Sequence, residues 1–164
     1  MKILILAFCS ILFGLTACAM VSNDTDDLGP TDPTITSEAE VAVISVDVTG
    51  AENQYTFSVT IKSDDKGCDQ YANWWEVISE DGDLIYRRIL AHSHVNEQPF
   101  TRSGNPVKIK ENQIVYIRAH MNTTGYGTTV FTGSVKNGFE KMTFAPDFND
   151  KLENTQPLPD GCAF

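Results

Sequence analysis

"VAVISVDVTGAENQYTFSVTIK", residues 41–62, alternates apolar and polar side chains with a period of two. Tyr55, Phe57, Val59 and Ile61 fall on one side of an extended chain, and Thr56, Ser58, Thr60 and Lys62 fall on the other. A strand with one buried face needs that spacing, and a helix cannot use it. Upstream, Ala42, Ile44, Val46 and Val48 share a face in the same way. Thr49-Gly50-Ala51-Glu52 between them is turn material, so the stretch predicts an antiparallel hairpin.

The pattern repeats downstream. "YANWWEVIS" (71–79) and "LIYRRILAH" (84–92) flank Glu80-Asp81-Gly82-Asp83, a second hairpin signal. "PVKIK" (106–110) reads as a short strand and "QIVYIRAHM" (113–121) as a longer one. Val115, Ile117, Ala119 and Met121 form its apolar face, and Tyr116, Arg118 and His120 point outward. "TTVFTGSV" (128–135) and "FEKMTF" (139–144) surround the turn Lys136-Asn137-Gly138. The last 20 residues are rich in Pro, Asp and Asn and read as an irregular wrap over the surface. Short strands without a sustained 3.6-residue period predict an all-β domain over residues 41–164. The leading architecture is an immunoglobulin-like antiparallel β-sandwich, with a jelly roll or small barrel as runner-up. The Cys-Trp-Cys spacing of antibody-type domains is missing.

The chain opens with Lys2 and an apolar run from Ile3 to Ala17 that ends at a cysteine. That run is too short for a membrane span and has the layout of an export signal, assigned to residues 1–17. Leu15, Thr16, Ala17 and Cys18 resemble the lipobox of bacterial lipoproteins. The resemblance implies that Cys18 is acylated, with palmitate among its chains, and becomes the first mature residue. Ala19 in place of aspartate then points to the outer membrane or cell surface. Residues 18–40 contain Asp24, Asp26, Asp27, Asp32, Glu38 and Glu40, no basic residue, and two prolines, so they read as an acidic tether.

The chain has 12 Lys and Arg against 22 Asp and Glu, and only Lys2 belongs to the leader, so the mature protein would carry about eleven net negative charges. A field of that sign argues against nucleic acid or anionic lipid as a partner and leaves the lipid anchor as the membrane contact. Cys9 leaves with the leader and Cys18 takes the lipid, which leaves Cys68 and Cys162 as an even pair for one disulfide in an oxidising compartment.

The candidates for chemistry are few. His92 and His94 lie two apart and would project to a common side of an extended segment. With His120 from a neighbouring strand they could supply three imidazoles to zinc or copper, with Glu97, Arg102 and Arg118 around them. His-x-His arises easily by chance, and hydrogen-bonded histidines are the plainer alternative. Phe100 could plug the end of the domain while Glu97 and Arg102 pair. Asp64, Asp65 and Asp69, with Asp147 and Asp150 from the tail, make calcium a weaker possibility. Trp74 and Trp75 point to opposite faces of one strand. With Tyr116 and Tyr126 they are candidate ligand-facing aromatics for a glycan or an envelope protein. No hydrolase or metalloprotease motif marks a nucleophile.

The run "GCDQYANWWEVISEDGDLIYRRILAHSHVNEQPFTRSG" (67–104), followed by "RAHM" and Gly125-Tyr126-Gly127, resembles a family of bacterial exported and lipid-anchored proteins. The resemblance spans about residues 55–135 and implies that these loops belong together. It brings no activity with it. The expected role is therefore non-enzymatic binding or structural support in the cell envelope, with a three-histidine metal centre as the alternative.

Overall fold

The computed structural model describes residues 40–163, all within one compact unit that begins at Thr36. The leader, the lipobox cysteine Cys18 and residues 19–39 lie outside the described residues. The strands are β1 (Val41–Thr49), β2 (Thr56–Ser63), β3 (Ala72–Ser79), β4 (Leu84–Ile89), β5 (Phe100–Ser103), β6 (Val115–Met121), β7 (Gly125–Tyr126), β8 (Thr129–Ser134) and β9 (Gly138–Thr143). No helix among the described residues is long and apolar enough to cross a membrane.

The all-β expectation holds, in a barrel-like form of the sandwich. One mixed sheet runs β4-β3-β6-β8-β1-β2-β5, with β7 attached to β6 and β9 to β8. The three predicted hairpins, β1–β2, β3–β4 and β8–β9, are all antiparallel pairs, and β1 meets β8 in parallel through Ala42 and Thr129. Gly127 makes that approach possible, because a Cβ there would lie 1.9 Å from the Val41 carbonyl oxygen. Gly82 closes the β3–β4 turn at φ +82°, a conformation that costs glycine no steric strain.

The sheet ends at β4 on one side and β5 on the other, and side chains bridge this seam. Arg88 Nε donates to Ser103 O at 3.1 Å, and the Asn105 backbone N–H donates to the Tyr86 hydroxyl at 2.9 Å. The core inside contains Tyr55, Phe57, Val59 and Ile61 from the opening hairpin and Val115, Ile117, Ala119 and Met121 from β6, as their period predicts.

Three local expectations are corrected. The single-face reading of β1 fails at a register shift between Val43 and Ser45. Before this bulge Val41 and Val43 are buried and Ile44 is 45 % exposed; after it Val46 and Val48 pack on the core. One extra residue flips the side-chain parity. "PVKIK" is not a strand: Val107 and Ile109 are buried, but the backbone contacts, an isolated bridge from Val107 to Tyr55 and a bond from Asn53 N to Ile109 O at 3.0 Å, do not extend into a ladder. The segment read as a loop at "FTRS" instead forms β5, paired along Ser58–Ile61 of β2. The tail wraps the surface as expected and includes a short 3-10 helix, Asp150–Asn154.

Candidate functional site

Strand parity gives the two neighbouring arginines of β4 opposite tasks. Arg87 lies opposite Glu76 on the outer face, while Arg88 lies opposite Trp75 on the core-facing side. On the outer face, Glu76 is fully buried between two guanidiniums. Arg87 Nη2 donates to its Oε2 at 2.6 Å, and Arg118 Nε donates to its Oε1 at 2.8 Å. The remaining donors of the two arginines take carbonyl oxygens from the tail. Arg87 binds Leu152 O and Thr155 O at 2.6 Å and Pro157 O at 3.1 Å, while Arg118 binds Asn149 O at 3.0 Å and also Phe148 O. Five donors on each planar fork suit this use, in which a segment without a sheet partner has its carbonyls satisfied by cations.

His120 belongs to this layer. Its ring stacks on Trp74 at 3.7 Å and 9°, and Arg87 lies 4.4 Å from a Trp74 ring centre. Nδ1 is 2.7 Å from Asn73 Oδ1, and Nε2 is 3.2 Å from Glu153 Oε1. Two acceptors would suit an imidazolium, but burial, reinforced by the nearby Arg87 and Arg118 charges, pushes the pKa down to about 3. Burial is the larger effect, and Glu153 is too exposed to offset it. The neutral ring therefore donates from Nε2 to Glu153 and accepts at Nδ1 from the Asn73 amide turned by half a rotation. Tyr126 sits below, with Arg118 3.3 Å from its ring centre; burial pushes its phenol pKa far up.

The second cluster lies at the seam between β4 and β5. Asp65 is buried and organises the loop that follows β4. It accepts from Ser63 Oγ at 2.7 Å, Ala72 N at 2.9 Å, His94 N at 2.7 Å and Ser93 Oγ at 3.4 Å. Gln98 ties the far end of the loop to Ser63, and Ala163 N donates to Ala91 O at 2.6 Å. The Cys68–Cys162 disulfide, expected from cysteine parity, is formed and ties the tail to the β2–β3 connection that carries Asp65.

The loop thereby fixes His94 with its side chain 2 % exposed, stacked on Phe100 at 3.7 Å and 10°. Neither ring nitrogen has a hydrogen-bond partner among the described residues, and Nδ1 lies 3.8 Å from Asp65 Oδ2. Burial first, then the charges of Arg102 and His92, lower its pKa, so the ring is neutral at neutral pH. Exposed His92 tilts over it at 4.5 Å. Together with Arg88, Ile89, Leu90, Ala91 and Arg102 the two histidines line a cleft of about 100 Å³.

The structure thus brings His92 and His94 together but places His120 in the other cluster, between Trp74, Asn73 and Glu153. Among the described residues no three His, Cys, Asp or Glu side chains form a group that could hold a metal. The three histidines expected to hold zinc or copper therefore do not meet, and the five aspartates considered for calcium form no such group among the described residues. The physical reason lies in the parity: His120 shares the outer face with Arg118, whereas His94 is pulled inward by Asp65 and Phe100. Of the three residues expected around the histidines, Glu97 and Arg102 pair with each other at 2.7 Å and Arg118 is committed to Glu76. The aromatic surface is also corrected. Trp75 is core, Trp74 and Tyr126 are buried under the tail, and half-buried Tyr116 packs edge-on against Phe144 and Phe148. The sequence reading overlooked Arg88 and undervalued Asp65; their roles depend on which strands become edges, which no local pattern reports.

No protein-family model matches the sequence, and no solved structure matches it. An archaeal protein of Halomicrobium mukohataei named "Putative lipoprotein" is 35 % identical over 127 residues, which cover 75 % of this chain and 63 % of that protein. The chain therefore spans a little under two thirds of the length of this relative.

Proposed function

We propose that the protein is a lipid-anchored component of the cell envelope, at the outer membrane or cell surface, and that its domain is a non-enzymatic binding module acting through the His94 cleft. The lipid anchor rests on Leu15-Thr16-Ala17-Cys18 closing the apolar leader, with the acidic segment to residue 40 as spacer. The name of the relative agrees with it, and a disulfide suits an oxidising compartment. Several acyl chains supply roughly 0.8 kcal/mol per buried methylene, so the domain needs no membrane-seeking surface.

The binding role is carried by one observation: a buried imidazole with both nitrogens unpaired, at the wall of a cleft. Such a group costs roughly 1–3 kcal/mol, and folded proteins keep few of them without a use. Catalysis is the weaker reading, because no hydroxyl or thiol is hydrogen-bonded to either His94 nitrogen among the described residues. Two measurements test the proposal. A clickable palmitate analogue should label the wild-type chain and leave Cys18→Ser unlabelled; label retained on the variant would exclude the anchor. Histidine ring resonances recorded against sodium propionate, sodium phosphate, zinc chloride and maltose should show His94 responding to at least one. A ring that ignores all four would end the binding reading.

A further inference from the structure

The cleft sits where the sheet fails to close, so its walls come from the two free strand edges and the loop between them. Arg88 uses two of its five donors on backbone carbonyls, Ser103 O and Ile89 O at 3.2 Å, and forms no ion pair with a carboxylate among the described residues. Arg102 crosses toward it from β5, held bidentately by Glu97 at 3.1 and 2.7 Å and lying 5.4 Å from the Phe100 ring centre. The remaining wall, Ile89, Leu90 and Ala91, is apolar. A locally cationic cleft on a chain with a formal charge of −10 is a specific placement of charge, since the average surface has the opposite sign.

Building on the reading of the cleft as a binding site, we infer that it takes a small organic carboxylate. The anion sits between Arg88 and Arg102, its short apolar body lies on Ile89, Leu90 and Ala91, and His94 forms a hydrogen-bonding floor once His92 tilts aside. The charged and titratable groups facing this position are Arg88, Arg102, Glu97, His92, His94 and, behind the ring, Asp65. Glu97 neutralises much of Arg102, and the Asp65 charge lies behind the His94 ring, so Arg88 is the cation of the lining that has no carboxylate in contact among the described residues. A guanidinium matches a carboxylate in plane and spacing. A divalent cation would meet two guanidiniums and only two imidazoles. Neutral His94 can offer one N–H to an anion, and doing so satisfies a donor that the fold leaves bare. The volume, a few times the roughly 30 Å³ share of one water in the liquid, limits the ligand to a few heavy atoms.

Calorimetric titration of the full chain in detergent with sodium propionate tests this, with sodium phosphate, sodium chloride at matched ionic strength and zinc chloride as separate arms. Propionate should bind saturably at one site. Arg88→Gln should weaken it roughly ten- to a hundredfold, the range for a lost charged hydrogen bond. Glu97→Gln, at an exposed carboxylate, should tighten it severalfold by releasing Arg102, a gain that misfolding cannot mimic. Saturable phosphate binding without propionate binding would overturn the carboxylate assignment. Zinc binding lost in His92→Ala, without propionate binding, would overturn the anion inference while leaving the cleft a binding site. No saturable heat in any arm would overturn the carboxylate inference and leave the binding reading to the maltose arm of the resonance experiment, and propionate heat unchanged in both variants would place the ligand elsewhere.

Discussion

Replacing Glu76 by Gln removes the carboxylate shared by Arg87 and Arg118 and changes almost nothing in volume. In the wild type both carboxylate oxygens are engaged, Oε2 by Arg87 and Oε1 by Arg118, and all three side chains are at most 2 % exposed. Gln keeps one acceptor oxygen but turns an N–H toward the other guanidinium, leaving two cations against tail carbonyls alone. Breaking a buried ion pair from one side costs about 3–5 kcal/mol. For a domain of this size that corresponds to a melting temperature lower by roughly 10–20 °C. Urea unfolding followed by circular dichroism gives the free energy, and tryptophan fluorescence reports the layer directly because Trp74 lies under Arg87. A loss below about 1 kcal/mol would refute the reasoning, since the tail carbonyls would then suffice to neutralise both arginines.

Three further outcomes are expected. Because burial lowers the folded pKa of His120 from its ordinary 6.5 to about 3, the unfolded chain binds the extra proton between these limits. Its contribution is complete above pH 6.5 and falls with decreasing pH by up to about 1.4 kcal/mol per unit, which urea titrations at pH 7, 5 and 4 would show and His120→Asn should flatten. Cys162→Ser opens a loop of sequence separation 94 and should cost about 2–4 kcal/mol in thermal unfolding; an unchanged midpoint would mean that the arginine contacts alone hold the tail. The bulge in β1 predicts unequal neighbours: Val43→Ala should cost about 2 kcal/mol and Ile44→Thr less than about 1, and equal losses would contradict the register.

Much of the fold is written in local patterns. Period-two alternation identifies β2 and β6 with the correct buried faces, because the extra residue at each register shift falls on the partner strand, β1 or β3, and leaves β2 and β6 regular. The β1 reading holds for Val46 and Val48 and fails for Ala42 and Ile44, because a bulge is a property of the pair and leaves no mark in one strand. β5 was hidden for a similar reason: four residues, "FTRS", carry too little alternation, and β2 supplies the ladder that makes them a strand. "PVKIK" shows the converse, since Val107 and Ile109 enter the core with one bridge and one further backbone bond, from Asn53 to Ile109, in place of a ladder.

The candidate site is less legible. The outward parity of Arg118 and His120 is correct, but outward does not mean exposed when a tail about thirty residues away in sequence covers the face. The spacing of His92 and His94 indicates that they can meet. It does not say that Asp65 would draw His94 inward, or that Arg88 would become the free charge at a seam. Those facts follow from sheet order, which places β4 and β5 at opposite ends of one path and side by side in space.

The central claim is that ligand acts at His94 in the β4–β5 seam, apart from His120. Long-range proton–nitrogen spectra of the three imidazoles during a propionate titration test it most directly. The account predicts that the His94 nitrogens shift saturably while those of His120 stay fixed; His120 shifting in step with His92 and His94 would contradict it.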